Sequence, residues 1–136
     1  MKILVPMDES VFAEKALSRA MHLAKLEPSA LLVLSVVPLP GAVEEISPKI
    51  ADKIRRSARA LLDRAKSVVE GQAIETEILL EEGVSPANNI ITVAEEKGID
   101  LIVLGYRGKS NLEKFLLGSV ALRVVSHAPC SVMVVK

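Results

Sequence analysis

Along the chain, short aliphatic runs alternate with longer stretches in which apolar residues return every three or four positions. The first run, Lys2 to Val5, closes at Pro6. After it Ser10 is placed to cap a helix whose apolar stripe is Ala13, Ala16, Leu17, Ala20, Met21 and Ala24, ending before Pro28. Ala30 to Val37 is almost wholly apolar, as expected of a strand covered on both faces. Pro38, Leu39, Pro40 and Gly41 read as a loop. Ser47-Pro48 then opens a second helix whose stripe runs from Ile50 through Leu61 and Leu62 to Val69, with Gly71 as its stop.

The second half repeats the pattern. Ile74 to Leu80 alternates apolar and charged residues, which predicts an edge strand. Ser85-Pro86 supplies a cap followed by proline in the first turn, the buried stripe is Ala87, Ile90, Ile91 and Ala94, and Gly98 ends the helix. Leu101 to Leu104 is a fourth strand, Ser119 to Ser126 a last helix and Ser131 to Val135 a fifth strand. Strands alternating with helices predict an α/β fold: a parallel sheet with helices on both faces. No linker divides the 136 residues, so residues 1–136 are expected to form one domain.

Composition narrows the function. The 17 basic and 17 acidic residues cancel, and aromatics are confined to Phe12, Tyr106 and Phe115. Neither a global attraction to nucleic acid nor a base-stacking platform is expected. The basic residues of the second helix, Lys49, Lys53, Arg55, Arg56, Arg59 and Arg64, read as a solvated face. The single cysteine, Cys130, suits a reducing compartment. No targeting segment or membrane span is evident, so a soluble, cytoplasmic protein is expected. His22 reads as a surface residue, and His127 as a favourable charge at a helix end.

In parallel sheets of this kind the ligand lies beyond the carboxyl ends of the strands, where strand order reverses. The segment after the fourth strand carries the most chemistry there. Gly105 and Gly108 permit close backbone approach, Arg107 and Lys109 add cationic donors, and Gly118-Ser119 opens a helix whose free amides suit phosphate. Ordinary turn glycines and solvated charges would leave the same trace. Gly108-Lys109-Ser110 imitates the end of a P-loop, but position 103 is Val where that motif needs glycine. No GxGxxG follows the first strand.

The spacing Gly105-x2-Gly108-x9-Gly118-Ser119, between a strand and a helix, resembles the nucleotide-binding signature of universal stress proteins. The segments ILVPMDES, EEGVSPANNI, GYRGKSNLEKFLLGSV and HAPCSVMVV extend the resemblance over essentially the whole chain. It implies an open, doubly wound five-stranded sheet in the order 3-2-1-4-5 with four helices, like that of adenine nucleotide alpha hydrolases. It implies ATP as ligand, with Mg²⁺ or Mn²⁺ bound through the phosphates. Asp8 would accept from ribose hydroxyls, with Pro6 and Met7 on the base and ribose side. Val36 would meet adenine through its backbone, and Gly83 would lie at the rim. Leu104 and Gly105 would border the ribose, and Arg107, Gly108, Lys109 and Ser110 would wrap the phosphates. Gly118, Ser119 and Val120 would bind phosphate oxygens. Tyr106 departs from the family's usual small residue, and Met7 from a small or β-branched one.

The apolar strand Ser131 to Val135 is expected to pair with its twin in a homodimer, which the resemblance also implies. The functional expectation is an ATP-binding, nucleotide-responsive stress or signalling module that acts on a protein partner, with slow ATP hydrolysis left open. Two rivals stand beside it: a nucleotide-free dimeric scaffold, and an ATP-using enzyme of the same architecture. For the enzyme no catalytic signature is found, and no carboxylate beyond Asp8 is placed for water activation.

Overall fold

A computed structural model describes residues 1–39, 47–108 and 116–136. Five strands, β1 (Lys2–Pro6), β2 (Ala30–Pro38), β3 (Thr76–Gly83), β4 (Leu101–Gly105) and β5 (Ser131–Val135), alternate with four helices. The helices are α1 (Val11–Leu26), α2 (Pro48–Val69), α3 (Pro86–Glu96) and α4 (Ser119–His127). All paired strands are parallel, and their order is β3-β2-β1-β4-β5. The expected order and helix number are therefore found.

Strand alternation sorts the core into two layers. Ile3, Val5, Leu31, Val33 and Val103 point to the face covered by α1 and α2. Leu4, Leu32, Leu34, Ile102 and Leu104 point to the face covered by α3 and α4. Ile3, Leu4 and Val5 are all fully buried, which is why β1 reads as an unbroken apolar run. The α1 stripe is mostly alanine, so this helix lies close against the sheet.

Three of the helices begin on serine. The hydroxyls of Ser10, Ser47 and Ser85 accept from the backbone N–H of Ala13, Ile50 and Asn88 at 3.1, 3.2 and 3.3 Å. Gly71 and Gly98 adopt φ of +84° and +63° past the ends of α2 and α3, as helix-stopping glycines do. β3 differs from its expected span. It starts two residues later and runs on to Gly83, because β2 offers pairing partners as far as Pro38. Its alternation is partial, with Leu79 and Leu80 both half-buried.

β1 pairs with β2 along its whole length, but its register with β4 covers only Ile3↔Leu101 and Leu4↔Ile102. Beyond those pairs the β1–β4 ladder stops. The sheet is thus open at the carboxyl ends of its two central strands, where the crossovers change direction.

Candidate functional site

A cavity of about 290 Å³ lies over that opening. β1 and its exit contribute Pro6, Met7 and Asp8; β2 contributes Leu34 and Val36; β4 contributes Leu104 and Gly105. Arg107, Gly108 and the start of α4, Gly118 to Ala121, form the rest of the wall with Ala13, Pro86 and Ile90. Most of these residues are apolar; Asp8, Arg107 and Ser119 are the polar side chains among them. A site of this composition suits a ligand with a flat apolar part and a charged part.

The local sequence explains each placement. Met7 continues β1's path, its N–H donating to the Leu34 carbonyl at 2.7 Å. Asp8 follows at the entry to α1, where its Oδ1 accepts from the Ser10 N–H at 2.8 Å. Its other oxygen lies beside Gly108: a Cβ added to Gly108 would stand 2.7 Å from Oδ2. Leu34 and Val36 share a face of β2 by strand alternation, and Pro86 and Ile90 share a face of α3 by the i, i+4 rule.

The start of α4 differs from the other three. Its N-cap, Gly118, offers no side-chain hydrogen bond, while its own N–H donates to the Tyr106 carbonyl at 2.7 Å. The first-turn amides of α4 have no partner within the helix and end on the cavity wall.

The three glycines after β4 are not equivalent. At Gly105 a Cβ would come within 2.7 Å of Phe12 Cβ and 2.9 Å of its carbonyl carbon, so the first turn of α1 packs directly on this glycine. At Gly118 a Cβ would stand 3.0 Å from Arg107 Cα. Among the described residues, Gly108 would meet only the Asp8 side chain. Two of the glycines therefore have packing reasons as well as any ligand reason.

Of the fourteen residues singled out from sequence, eleven line this one cavity. Gly83 does not. It ends β3 under the Asn89 side chain, where a Cβ would stand within 3 Å of the Asn89 amide, and Asn89 Nδ2 donates to the Glu82 carbonyl at 3.3 Å. Lys109 and Ser110 lie outside the described residues. Ala13, Leu34, Pro86, Ile90 and Ala121 line the cavity without having been singled out. The alternation through Val36 and the helical period after Pro86 carry the signal for Leu34 and Ile90.

Cys130 and the histidines stand apart from the site. The Cys130 thiol is pushed above its ordinary pKa, first by burial and then by the Asp100 carboxylate, with the Ile102 backbone opposing. His22 is exposed, and His127 Nδ1 lies 3.1 Å from the Arg123 carbonyl at the end of α4. Among the described residues no cluster of His, Cys, Asp or Glu could hold a metal ion, and no helix is long and apolar enough to cross a membrane.

A parallel sheet whose cavity sits at the strand reversal, beside a helix start without a side-chain cap, defines an open, doubly wound α/β fold. Within it the chain belongs to the universal stress protein family, whose model matches residues 1–136. It is 42% identical to a universal stress protein of Methanocaldococcus jannaschii, over 99% of this chain and 81% of that one. Its fold is similar to that of the universal stress protein UspA from Lactobacillus plantarum, with a TM-score of 0.85, 30% identity and coverage of 100% and 97% of the two chains. It is also similar to the universal stress protein from Archaeoglobus fulgidus solved in complex with dAMP, with a TM-score of 0.74, 28% identity and coverage of 100% and 98%.

Proposed function

We propose that this protein binds an adenine nucleotide, with ATP as the ligand, and works in the cytoplasm as a nucleotide-responsive module. The observation that carries the reading is the start of α4. Its first turn has no side-chain cap from Gly118 and lines the same cavity as Asp8, Val36 and Leu104. The lining suits the groups of a nucleotide in turn. Apolar Met7, Val36 and Leu104 suit a base and sugar, the Asp8 carboxylate suits ribose hydroxyls, and the α4 amides with Arg107 suit phosphate. The dAMP held by the Archaeoglobus relative supports the same ligand class.

Mg²⁺ or Mn²⁺ would arrive through the phosphates and neutralise their charge. Among the described residues lining the cavity Asp8 is the one carboxylate, and its Oδ1 is already engaged by Ser10. That favours a binding module over an enzyme of the same architecture. Homodimerisation through β5 belongs to the same reading. β5 is an edge of the sheet, and Val132, Met133, Val134 and Val135 are all half-buried in one copy. Sedimentation as a monomer at high micromolar concentration would remove the dimer.

Calorimetry with ATP and AMP in the presence of Mg²⁺ tests the site, comparing wild type with Gly108→Ala. Among the described residues the added methyl meets only the movable end of Asp8, so the fold should persist while binding falls about tenfold, the worth of a hydrogen bond to a charged group. Nucleotide-free wild-type protein that binds neither ligand would leave the dimeric scaffold as the better reading.

A further inference from the structure

Aromatic residues are scarce in this chain, and the core is aliphatic. Phe12 and Tyr106 nevertheless meet, from α1 and from the segment after β4. Their ring centroids are 4.6 Å apart with the planes at 82°, an edge-to-face pair. Neither ring belongs to the core layers; both are half-buried beside the cavity wall. The Arg107 guanidinium carbon lies 5.1 Å from the Phe12 centroid and 5.2 Å from that of Tyr106. One cation thus sits within reach of both rings. Lys15 Nζ lies 5.6 Å from the Phe12 ring and adds a second positive charge.

The seat is fixed to the backbone of the site. Gly105 admits Phe12 against β4, while the Tyr106 N–H donates to the Val135 carbonyl at 2.9 Å and its carbonyl accepts from Gly118. Arg107 Cα stands against Gly118 at the α4 cap. From there its guanidinium comes within range of the two rings while the residue still lines the cavity. A free arginine loses much rotamer freedom when it grips a ligand; one already held loses less.

We propose that Phe12 and Tyr106 are positioning residues, forming an aromatic seat that presents the Arg107 charge to the phosphate chain beyond the α4 amides. The site then favours nucleotides with two or more phosphates over monophosphates. This rests on the nucleotide reading above. The α4 amides hold one phosphate in either ligand, and the seated guanidinium meets the additional ones.

The test measures ATP and AMP affinities by calorimetry for Phe12→Leu, Phe12→Tyr and Arg107→Met, and for Phe12→Leu in the Arg107→Met background. Phe12→Leu should weaken ATP about fivefold, the size of a guanidinium–ring contact, and AMP by less than about twofold. Phe12→Tyr should match wild type, and Phe12→Leu should cost nothing further once Arg107 is gone. Equal losses for ATP and AMP, or an undiminished loss in the Arg107→Met background, would overturn the proposal. The Arg107 Nε–H resonance of the free protein gives a readout independent of ligand. A ring-current shift that Phe12→Leu reduces supports the seat; no such shift in wild type overturns it. If neither nucleotide binds while that shift is present, the nucleotide reading fails and the seat stands as a structural fact.

Discussion

α3 and α4 lie side by side on one face of the sheet and begin at the same end of it, yet they begin in opposite ways. α3 opens on Ser85, whose hydroxyl accepts from Asn88, followed by Pro86, which has no N–H to satisfy. α4 opens on Gly118, which supplies no side-chain cap for its first amides. The first arrangement satisfies the helix from within and lets Pro86 and Ile90 serve as apolar wall. The second keeps donors available at some cost in intrinsic helix stability. Under the proposed function, stability and binding fall to neighbouring helix starts, and substitutions can separate them.

The largest effect is expected for Gly118→Val. The side chain would press on the Arg107 backbone and cover the α4 amides, so ATP affinity in calorimetry should fall about a hundredfold, as when two hydrogen bonds to a charged group are lost. Overpacking should also lower stability by about 1–3 kcal/mol in chemical denaturation. Gly118→Ser makes α4 resemble α3. Its hydroxyl would compete for the amides, so affinity should drop about tenfold, while the new cap offsets part of the strain of a Cβ against Arg107 and the loss of stability stays smaller than for valine. An unchanged affinity in this variant would mean that the α4 amides are not the phosphate site. Ser85→Ala is the converse: a loss of about 1 kcal/mol in denaturation with ATP affinity retained. The smallest effect belongs to the far end of α4. With its thiol pKa raised, Cys130 holds less thiolate at neutral pH than a free cysteine, so iodoacetamide should label it more slowly at pH 7 and catch up as pH rises.

Local signals made most of the fold legible. Ser-Pro pairs announced α2 and α3, and the unbroken aliphatic run announced β2. The course of β3 past Leu80 was not legible, because its acidic Glu81 and Glu82 look like a turn until β2 is seen to pair with them through Pro38. Most of the candidate residues fell on one cavity because a parallel sheet brings the carboxyl ends of its strands together. The place of Phe12 was not legible, since it lies off the apolar stripe of α1 and its contacts with Gly105, Tyr106 and Arg107 join residues more than ninety positions apart. Glycine spacing pointed to a segment that lines the cavity, but it does not distinguish room for a ligand from room for a neighbouring helix. Gly105 and Gly118 both carry a packing constraint that only three-dimensional placement reveals.

The Tyr106 peptide has a practical consequence for handling the protein. Its N–H donates to Val135 and its carbonyl accepts from Gly118, so the last residue of β5 and the cap of α4 are joined through the backbone of one residue. Polypeptide or dye attached just beyond Val135 would tug on the site it was meant to report. The start of β1 lies at the opposite end of the sheet, where Lys2 is anchored by Asp100. Affinity handles and fluorophores belong there.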